Sequence, residues 1–107
     1  MDSNHYTLYG DHRSGNCYKV ALILKLTGNP FRWIETDVLQ EQTRTEEFLS
    51  LNPNGKVPVL QLRDSSVLAE SNAMLIHLAE DTPLLPGDGY ERALVFQWLF
   101  FEQYSHE

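Results

Sequence analysis

Cysteine, basic residues and long apolar runs are all scarce in this sequence, and each scarcity excludes a class of protein. Cys17 has no second thiol, so an internal disulfide is excluded and a reducing, cytoplasmic setting is expected. Eight Lys and Arg residues against fifteen Asp and Glu residues give a formal net charge of -7. That charge disfavours nucleic acid or an anionic membrane as partner, because both are bound mainly through basic patches. The apolar runs are far shorter than the roughly 20 residues that span a bilayer, and no secretory signal is predicted.

With 107 residues, of which 42% are hydrophobic and 21% charged, the chain has the size and composition of one ordinary domain. Residue patterning predicts strands at 5–9, 31–37, 57–60 and 67–69, with Leu62 extending the third. One helix carries the apolar stripe Cys17, Val20, Ala21 and Leu24, a short helix ends near Leu51, and a third begins at Ser71. The order βαβα then ββα predicts an α/β fold, a mixed four-stranded sheet with helices on its faces.

The composition changes after residue 81. Two prolines and two glycines lie within the seven residues 83–89, which predicts a linker. Residues 90–104 form a helical pattern whose apolar side chains cover nearly the whole circumference, and such a helix is normally buried. We therefore expect a domain at 1–81, a linker at 82–89, and a helix at 90–107 that belongs to a larger unit or needs a partner.

The first candidate site is the run S-G-N-C at residues 14–17, which has the spacing of a C-x-x-C redox motif with its first cysteine replaced by serine. Without the second thiol, disulfide exchange is excluded. Ser14 at a helix N-terminus can donate a hydrogen bond to a thiolate and lower that thiol's pKa, or it can serve only as the N-cap. Cys17 lies on the apolar stripe and is predicted to be buried rather than nucleophilic.

The second candidate site is Val57-Pro58. Proline cannot donate to a sheet ladder, so Pro58 in an apolar strand predicts an edge, a bulge or a cis peptide bond. Such an arrangement would leave the Val57 backbone free to pair with an extended peptide ligand. An ordinary edge-strand proline is the alternative.

The third candidate site is Glu70-Ser71-Asn72, where the third helix is predicted to begin. Backbone N–H groups and a hydroxyl at a helix start can hold a carboxylate or a phosphate. The carboxylate of Glu70 beside them can take an ammonium group. Together they predict a site for an amino-acid-like head group, and a simple capped helix start is the alternative.

In chain order, these three segments resemble the N-terminal, thioredoxin-like domain of the cytosolic glutathione S-transferases. The runs that carry the resemblance are R-S-G-N-C at 13–17, N-P-N-G-K-V-P-V-L at 52–60 and E-S-N-A-M-L at 70–75. The resemblance covers residues 5–80. Residues 83–86 resemble the family's linker, and residues from 90 onward resemble the first helix of its all-helical second domain.

The resemblance implies that glutathione is the co-substrate and that Pro58 is cis, with the Val57 backbone pairing to the cysteinyl residue of glutathione. Glu70 and Ser71 would hold the γ-glutamyl head group. The candidates for the glycine carboxylate end are Lys56 and Arg44.

The resemblance also implies that Ser14 activates the glutathione thiol, as serines do in theta-like and zeta-like members. Cys17 is the alternative, because beta-like bacterial members use a cysteine at that place. The expected function is a detoxifying glutathione S-transferase that attacks an electrophilic small molecule and is a homodimer when whole. With one helix of the second domain, the chain alone is expected to bind glutathione without turnover.

Two other functions stay open on the same fold. One is a non-catalytic dimerisation or assembly module, and the other is a glutathione-dependent isomerase, dehalogenase or reductase. The four histidines show no metal-ligand spacing, so no metal site is predicted.

Overall fold

Four strands and four α-helices make up residues 5–106, the part of the chain that this computed structural model describes. The strands are β1 (Tyr6–Gly10), β2 (Phe31–Glu35), β3 (Val59–Gln61) and β4 (Val67–Ala69). The helices are α1 (Gly15–Leu26), α2 (Glu46–Leu51), α3 (Ser71–Ala79) and α4 (Gly89–His106), with short 3₁₀ helices at Val38–Gln40 and Gln42–Arg44. This order confirms the predicted thioredoxin-like fold with a following helix. Residues 1–4 and 107, included in the predicted domain ranges, lie outside the described part.

The sheet is mixed, as predicted, with strand order β2-β1-β3-β4. Strand β1 runs parallel to β2 and antiparallel to β3, which in turn is antiparallel to β4. The second strand is shorter than the predicted 31–37. It ends at Glu35 because the Asp37 side chain accepts hydrogen bonds from two backbone N–H groups and starts a 3₁₀ helix.

The core lies between the sheet and the helices α1 and α3. Its members are buried apolar side chains from β1, α1, β3 and α3: Leu8, Val20, Leu24, Leu60, Met74 and Leu78. The predicted stripe of α1 is confirmed, since Cys17, Val20 and Leu24 are completely buried and Ala21 is partly buried against the core. On α3 the completely buried apolar residue is Met74, one turn before Leu78.

Helix α4 packs on α1 and α3 along one face only. Val95 and Leu99 border a small apolar cavity of about 150 Å³ together with side chains of α1, α3 and the connecting segment. The Lys19 ammonium lies 3.0 Å from the Glu102 carboxylate, which fastens α1 to α4. The aromatic residues on the rest of the helix are exposed: Tyr90, Trp98, Phe100, Phe101 and Tyr104. None of the helices described here is long and apolar enough to cross a bilayer.

Replacing Gly10 with alanine is expected to lower the free energy of unfolding by about 1–3 kcal/mol, because the site is already filled. A Cβ atom there would lie 2.8 Å from Cη2 of Trp33 and 3.1 Å from Cβ of Cys17. The Trp33 ring is itself held by a 2.9 Å hydrogen bond from its Nε1 to Glu35. Urea denaturation measures the loss.

Gly15→Ala is the matched control, since a Cβ at Gly15 meets no atom within 4 Å and alanine favours helix. We expect this variant to be as stable as the parent chain or more stable. Equal stability of the Gly10 and Gly15 variants would contradict the close packing at Gly10.

Candidate functional site

The turn between β1 and α1 is held by Arg13. Its guanidinium donates hydrogen bonds of 2.9 and 2.7 Å to the two carboxylate oxygens of Asp11, and one of 2.6 Å to Asp37. Asp11 also accepts a hydrogen bond from the Val38 backbone at 3.0 Å. These hydrogen bonds hold the pKa of Asp11 well below its usual range, and the largest effect comes from the Arg13 side chain. The ion pairs connect the end of β1 to the segment after β2, and so fix the loop that carries Ser14.

Ser14 is the N-cap of α1, as the sequence predicted. Its Oγ accepts a 3.2 Å hydrogen bond from the Cys17 backbone N–H, and its own N–H donates to the Asp11 carbonyl at 2.9 Å. Capping uses an acceptor lone pair of the hydroxyl, so the hydroxyl proton is still able to donate. Ser14 therefore serves as a cap and offers a hydrogen-bond donor at the N-terminus of a helix.

Cys17 is completely buried, which confirms the prediction of burial. Its Sγ accepts a 3.5 Å hydrogen bond from the Asp11 backbone. Burial raises the pKa of the Cys17 thiol, and the contact with the Ser14 side chain only partly opposes that effect. The group is a neutral thiol at neutral pH, the form that neither attacks nor ligates well.

The run N-P-N-G shapes the turn before Val57. The Asn52 amide donates to the Lys56 carbonyl at 3.0 Å and accepts from the Asn54 backbone at 3.2 Å. Gly55 has φ +64°, a backbone conformation that glycine adopts without strain. The Val57-Pro58 peptide bond is cis.

The Val57 backbone lies outside the sheet ladder. Strand β3 begins at Val59, whose partners are Tyr9 on one side and Ala69 on the other. The residue two positions earlier is therefore not paired in the sheet. Pro58 is not in an edge strand, because β3 is central, so the alternative of an ordinary edge-strand proline is wrong.

Glu70 adopts an unusual backbone conformation directly before α3. Its φ is +73° and its ψ is 110°, and its side chain makes no capping hydrogen bond to the helix. Such a conformation is costly for a residue with a side chain and persists where the surrounding structure imposes it, often at a functional site. The next residue, Ser71, is buried with 4% of its surface exposed. The carboxylate at Glu70 is thus left out of helix capping.

Two neighbouring cavities collect most of the predicted residues. The first, the polar cavity, has a volume of about 250 Å³ and is lined by Asn16, Asn52, Asn54, Lys56, Val57, Pro58, Glu70, Ser71 and Gln103. The second, the Ser14 cavity, has a volume of about 560 Å³ and is lined by Asp11, Arg13, Ser14, Val38, Leu39, Gly55, Lys56 and Val57. Lys56 and Val57 belong to both and form the wall between them.

Five predicted residues thus meet in the polar cavity, and Ser14 lies across Val57 from them. Arg44 does not line either cavity. It is exposed on the 3₁₀ helix Gln42–Arg44, and its Cδ lies 3.8 Å from where a Cβ on Gly55 would be. Of the two candidates for the glycine carboxylate, only Lys56 borders the cavities.

Four amide side chains of the polar cavity received no role from the sequence: Asn16, Asn52, Asn54 and Gln103. The first three lie inside the sequence runs that carry the family resemblance, so the resemblance could have identified them as site residues. Gln103 belongs to α4, and no motif surrounds it. Only the packing of α4 brings it to the site.

Asp11, His12 and Glu35 bring three possible metal ligands within 4.8 Å of one another. The parallel register of β1 and β2 pairs Gly10 with Glu35, and this brings Glu35 close to Asp11 and His12, which follow Gly10. The spacing of these residues in the sequence did not predict that they are close. However, Asp11 already accepts from Arg13 and Val38, and Glu35 accepts from the His12 ring at 2.6 Å. These oxygens are engaged within the protein, and the absence of a metal site stays a prediction.

Known proteins are similar to this chain in sequence and in fold. The family description "Glutathione S-transferase, N-terminal domain" matches residues 13–81. A crystal structure of a glutathione S-transferase from Pseudomonas fluorescens Pf-5 is 54% identical, with a TM-score of 0.90 over 94% of this chain and 50% of that one. The structure of Ure2p in complex with glutathione is 31% identical, with a TM-score of 0.89 over 96% of this chain and 50% of that one.

Among curated proteins, the "Transcriptional regulator URE2" of Saccharomyces cerevisiae is 34% identical over 110 residues, or 94% of this chain and 31% of that protein. The chain therefore spans about half the length of the solved relatives and about a third of the curated ones.

Proposed function

The chain belongs to the glutathione S-transferase family through its N-terminal domain, and we propose that it binds glutathione and activates the glutathione thiol for attack on an electrophilic, hydrophobic small molecule. In that reaction the thiolate sulfur forms a bond to an electrophilic carbon. The leaving group departs with the bonding electron pair, or, in an addition, the product takes up a proton. The transfer itself is proposed for the whole protein.

The observation that carries this proposal is the polar cavity, which combines one acidic and one basic side chain with buried Ser71 and the Val57 backbone, which is not paired in the sheet. The γ-glutamyl end of glutathione carries an ammonium and a carboxylate. Glu70 suits the ammonium, and Ser71 at the start of α3 suits the carboxylate. The Val57 backbone lies between these residues and Ser14, where an extended tripeptide can pair with it.

The thiol of a glutathione molecule bound in this way would lie near Ser14, on the far side of Val57. The Ser14 hydroxyl would donate a hydrogen bond to the thiolate, and the N-terminus of α1 would add a favourable dipole. Each pKa unit of depression corresponds to about 1.36 kcal/mol. A hydrogen bond to a charged group contributes about 1.5–3 kcal/mol and a helix N-terminus about 0.3–1 kcal/mol, which together correspond to a depression of about one to three units. The burial of Cys17 and the place of Ser14 on the cavity lining favour Ser14 as the thiol-site residue, with chemistry of the theta-like or zeta-like kind.

For the glycine carboxylate, Lys56 is the preferred partner because it lines both cavities, whereas Arg44 lines neither of them. We also propose that residues 90–107 begin an all-helical second domain and that the whole protein is a homodimer. The exposed aromatic side chains of α4, among them Trp98 and Phe100, favour further chain or a second copy against this helix.

Calorimetric titration of the chain with glutathione tests the proposal directly. We expect saturable binding of glutathione and no binding of the dipeptide cysteinylglycine, which lacks the γ-glutamyl group. Absence of heat with glutathione, together with unchanged amide resonances in an NMR titration, would overturn the proposal.

A second candidate function is a non-catalytic regulatory or assembly module. One observation favours it: a relative 34% identical to this chain is named a transcriptional regulator. The two functions differ in turnover, because a module would bind glutathione without consuming an electrophile. Assay of the whole protein with halogenated aromatic electrophiles distinguishes them, and isomerase, dehalogenase or reductase chemistry would appear as consumption of other substrates.

A further inference from the structure

A further cavity lies between the sheet and α2. Its volume is about 380 Å³, and its lining includes Tyr9, Ile34, Glu35, Glu47, Phe48 and Leu51. It shares no lining residue with the polar cavity or the Ser14 cavity. We propose that this cavity, the α2 cavity, binds a small aliphatic amine in its ammonium form. The proposal goes beyond the proposed function and does not rest on it.

The charge of the α2 cavity comes from Glu35 and Glu47, and no Lys, Arg or His side chain lines it. The Glu47 carboxylate has no hydrogen-bond or ion-pair partner within residues 5–106, where Ser50 donates only to the Glu47 backbone carbonyl. A cavity lined by charge of one sign attracts ligands of the opposite sign. The α2 cavity therefore favours a cation, and Glu47 is the carboxylate that is available to accept its N–H groups.

Glu35 adds a second negative charge and a spectroscopic reporter. Its Oε1 accepts a 2.9 Å hydrogen bond from the Trp33 ring, and its Oε2 lies 2.6 Å from the His12 ring. The contact with His12 is the main reason that the pKa of Glu35 is lowered, so this carboxylate is ionised at neutral pH. A cation that enters the cavity changes the electric field at Glu35, and the Trp33 indole N–H bonded to it senses that change.

The rest of the lining suits the hydrocarbon part of an amine. The ring centroids of Tyr9 and Phe48 lie 6.3 Å apart in an edge-on arrangement, Phe48 is buried, and Ile34 and Leu51 are half-buried. Aromatic rings attract ammonium groups, and aliphatic side chains cover an apolar stem. The volume is near the lower end of the range for small-molecule sites, which is about 300–1,000 Å³. The ligand class is therefore a small amine with a short stem.

NMR titration of the ¹⁵N-labelled chain with butylammonium chloride at neutral pH tests the proposal. The sequence contains two tryptophans, Trp33 and Trp98, and Trp98→Phe assigns their indole signals. We expect saturable shifts of the Trp33 indole signal and of the amide signals of α2, whereas the Trp98 signal should stay in place. 1-Butanol has the same stem without the charge and should bind about 10-fold more weakly or worse.

Glu47→Gln should weaken butylammonium binding by about 10-fold, as is typical of a hydrogen bond to a charged group. Glu46→Gln is the matched control, because Glu46 is the neighbouring glutamate in the same first turn of α2, is also exposed and lies outside the α2 cavity. The two variants lose the same charge next to the same helix end. The control variant should bind butylammonium like the parent chain.

Four results would overturn the proposal: no saturable shift, equal binding of 1-butanol, equal losses in the Glu47 and Glu46 variants, or equal shifts of both indole signals. Shifts confined to the amide signals of Glu70 and Ser71 would place the amine in the polar cavity and would also overturn it. A chain that fails to bind glutathione would contradict the proposed function and leave the amine site unaffected, since the cavities share no lining residue.

Discussion

Replacing Glu70 with alanine is expected to weaken glutathione binding by about 100-fold or more, beyond the range of calorimetry. Glu70 is the sole acidic residue among those that line the polar cavity, so its loss leaves the γ-glutamyl ammonium without a charged partner. Glu70→Gln should lose nearly as much, because an amide keeps the shape of the side chain and removes its charge. Both affinities are measured by competition with a fluorescent glutathione derivative.

Glu41→Ala is the matched control for this change. Glu41 is also exposed and also has a positive φ, of 60°, but it lies outside both cavities. Alanine at either position keeps the strained backbone, so the two variants should have similar stability in urea. If the Glu70 and Glu41 variants bind glutathione equally well, Glu70 is not the ammonium partner.

The strained backbone at Glu70 supports this assignment in a second way. A residue with φ of +73° would cost less as glycine, yet the chain places a glutamate there and does not use its carboxylate to cap α3. The same residue connects β4 to α3, and Glu70 and Ser71 line the same polar cavity.

The fold was predictable from the sequence because each element carried a local signal. The stripe of Cys17, Val20 and Leu24 recurs at helical spacing, and all three side chains are buried. Pro58 inside an apolar run predicted an edge, a bulge or a cis peptide bond, and the bond is cis. The strand predicted at 57–60 was wrong at its start, because β3 begins only at Val59. Where the local signal was weak, at residues 36 and 37, the strand was predicted too long, because capping by the Asp37 side chain competes with strand pairing.

The site was predictable only where its residues lie in sequence runs with their own chemistry. Ser14, Val57 and Glu70 each lie beside a turn or a helix start that is recognisable in the sequence. Gln103 reaches the polar cavity through the packing angle of α4, which no local pattern encodes. The neighbourhood of His12 and Glu35 depends in the same way on strand register, a property of the assembled sheet.

Replacing Ser14 with glycine is expected to raise the pKa of glutathione bound to the chain by about one to two units, the equivalent of one hydrogen bond to a charged group. Glycine is a tolerable N-cap that costs only a few tenths of a kcal/mol relative to serine, so α1 should stay formed while the hydroxyl is lost. Titration of the thiolate by its ultraviolet absorbance measures the pKa, and Ser14→Thr, which keeps a hydroxyl, should restore much of the depression.

Cys17→Ala is the variant that separates the two candidate residues. Cys17 is completely buried and its pKa is raised by that burial, so its removal should cost some stability and leave the pKa of bound glutathione where it was. The Ser14 hydroxyl contacts the neutral Cys17 thiol. A glutathione thiolate is charged and is therefore the stronger hydrogen-bond acceptor, so we expect the hydroxyl to donate to the bound thiolate instead. A pKa that moves with Cys17→Ala and not with Ser14→Gly would reverse the assignment. It would mean that the Cys17 thiol, and not the Ser14 hydroxyl, lowers the pKa of bound glutathione.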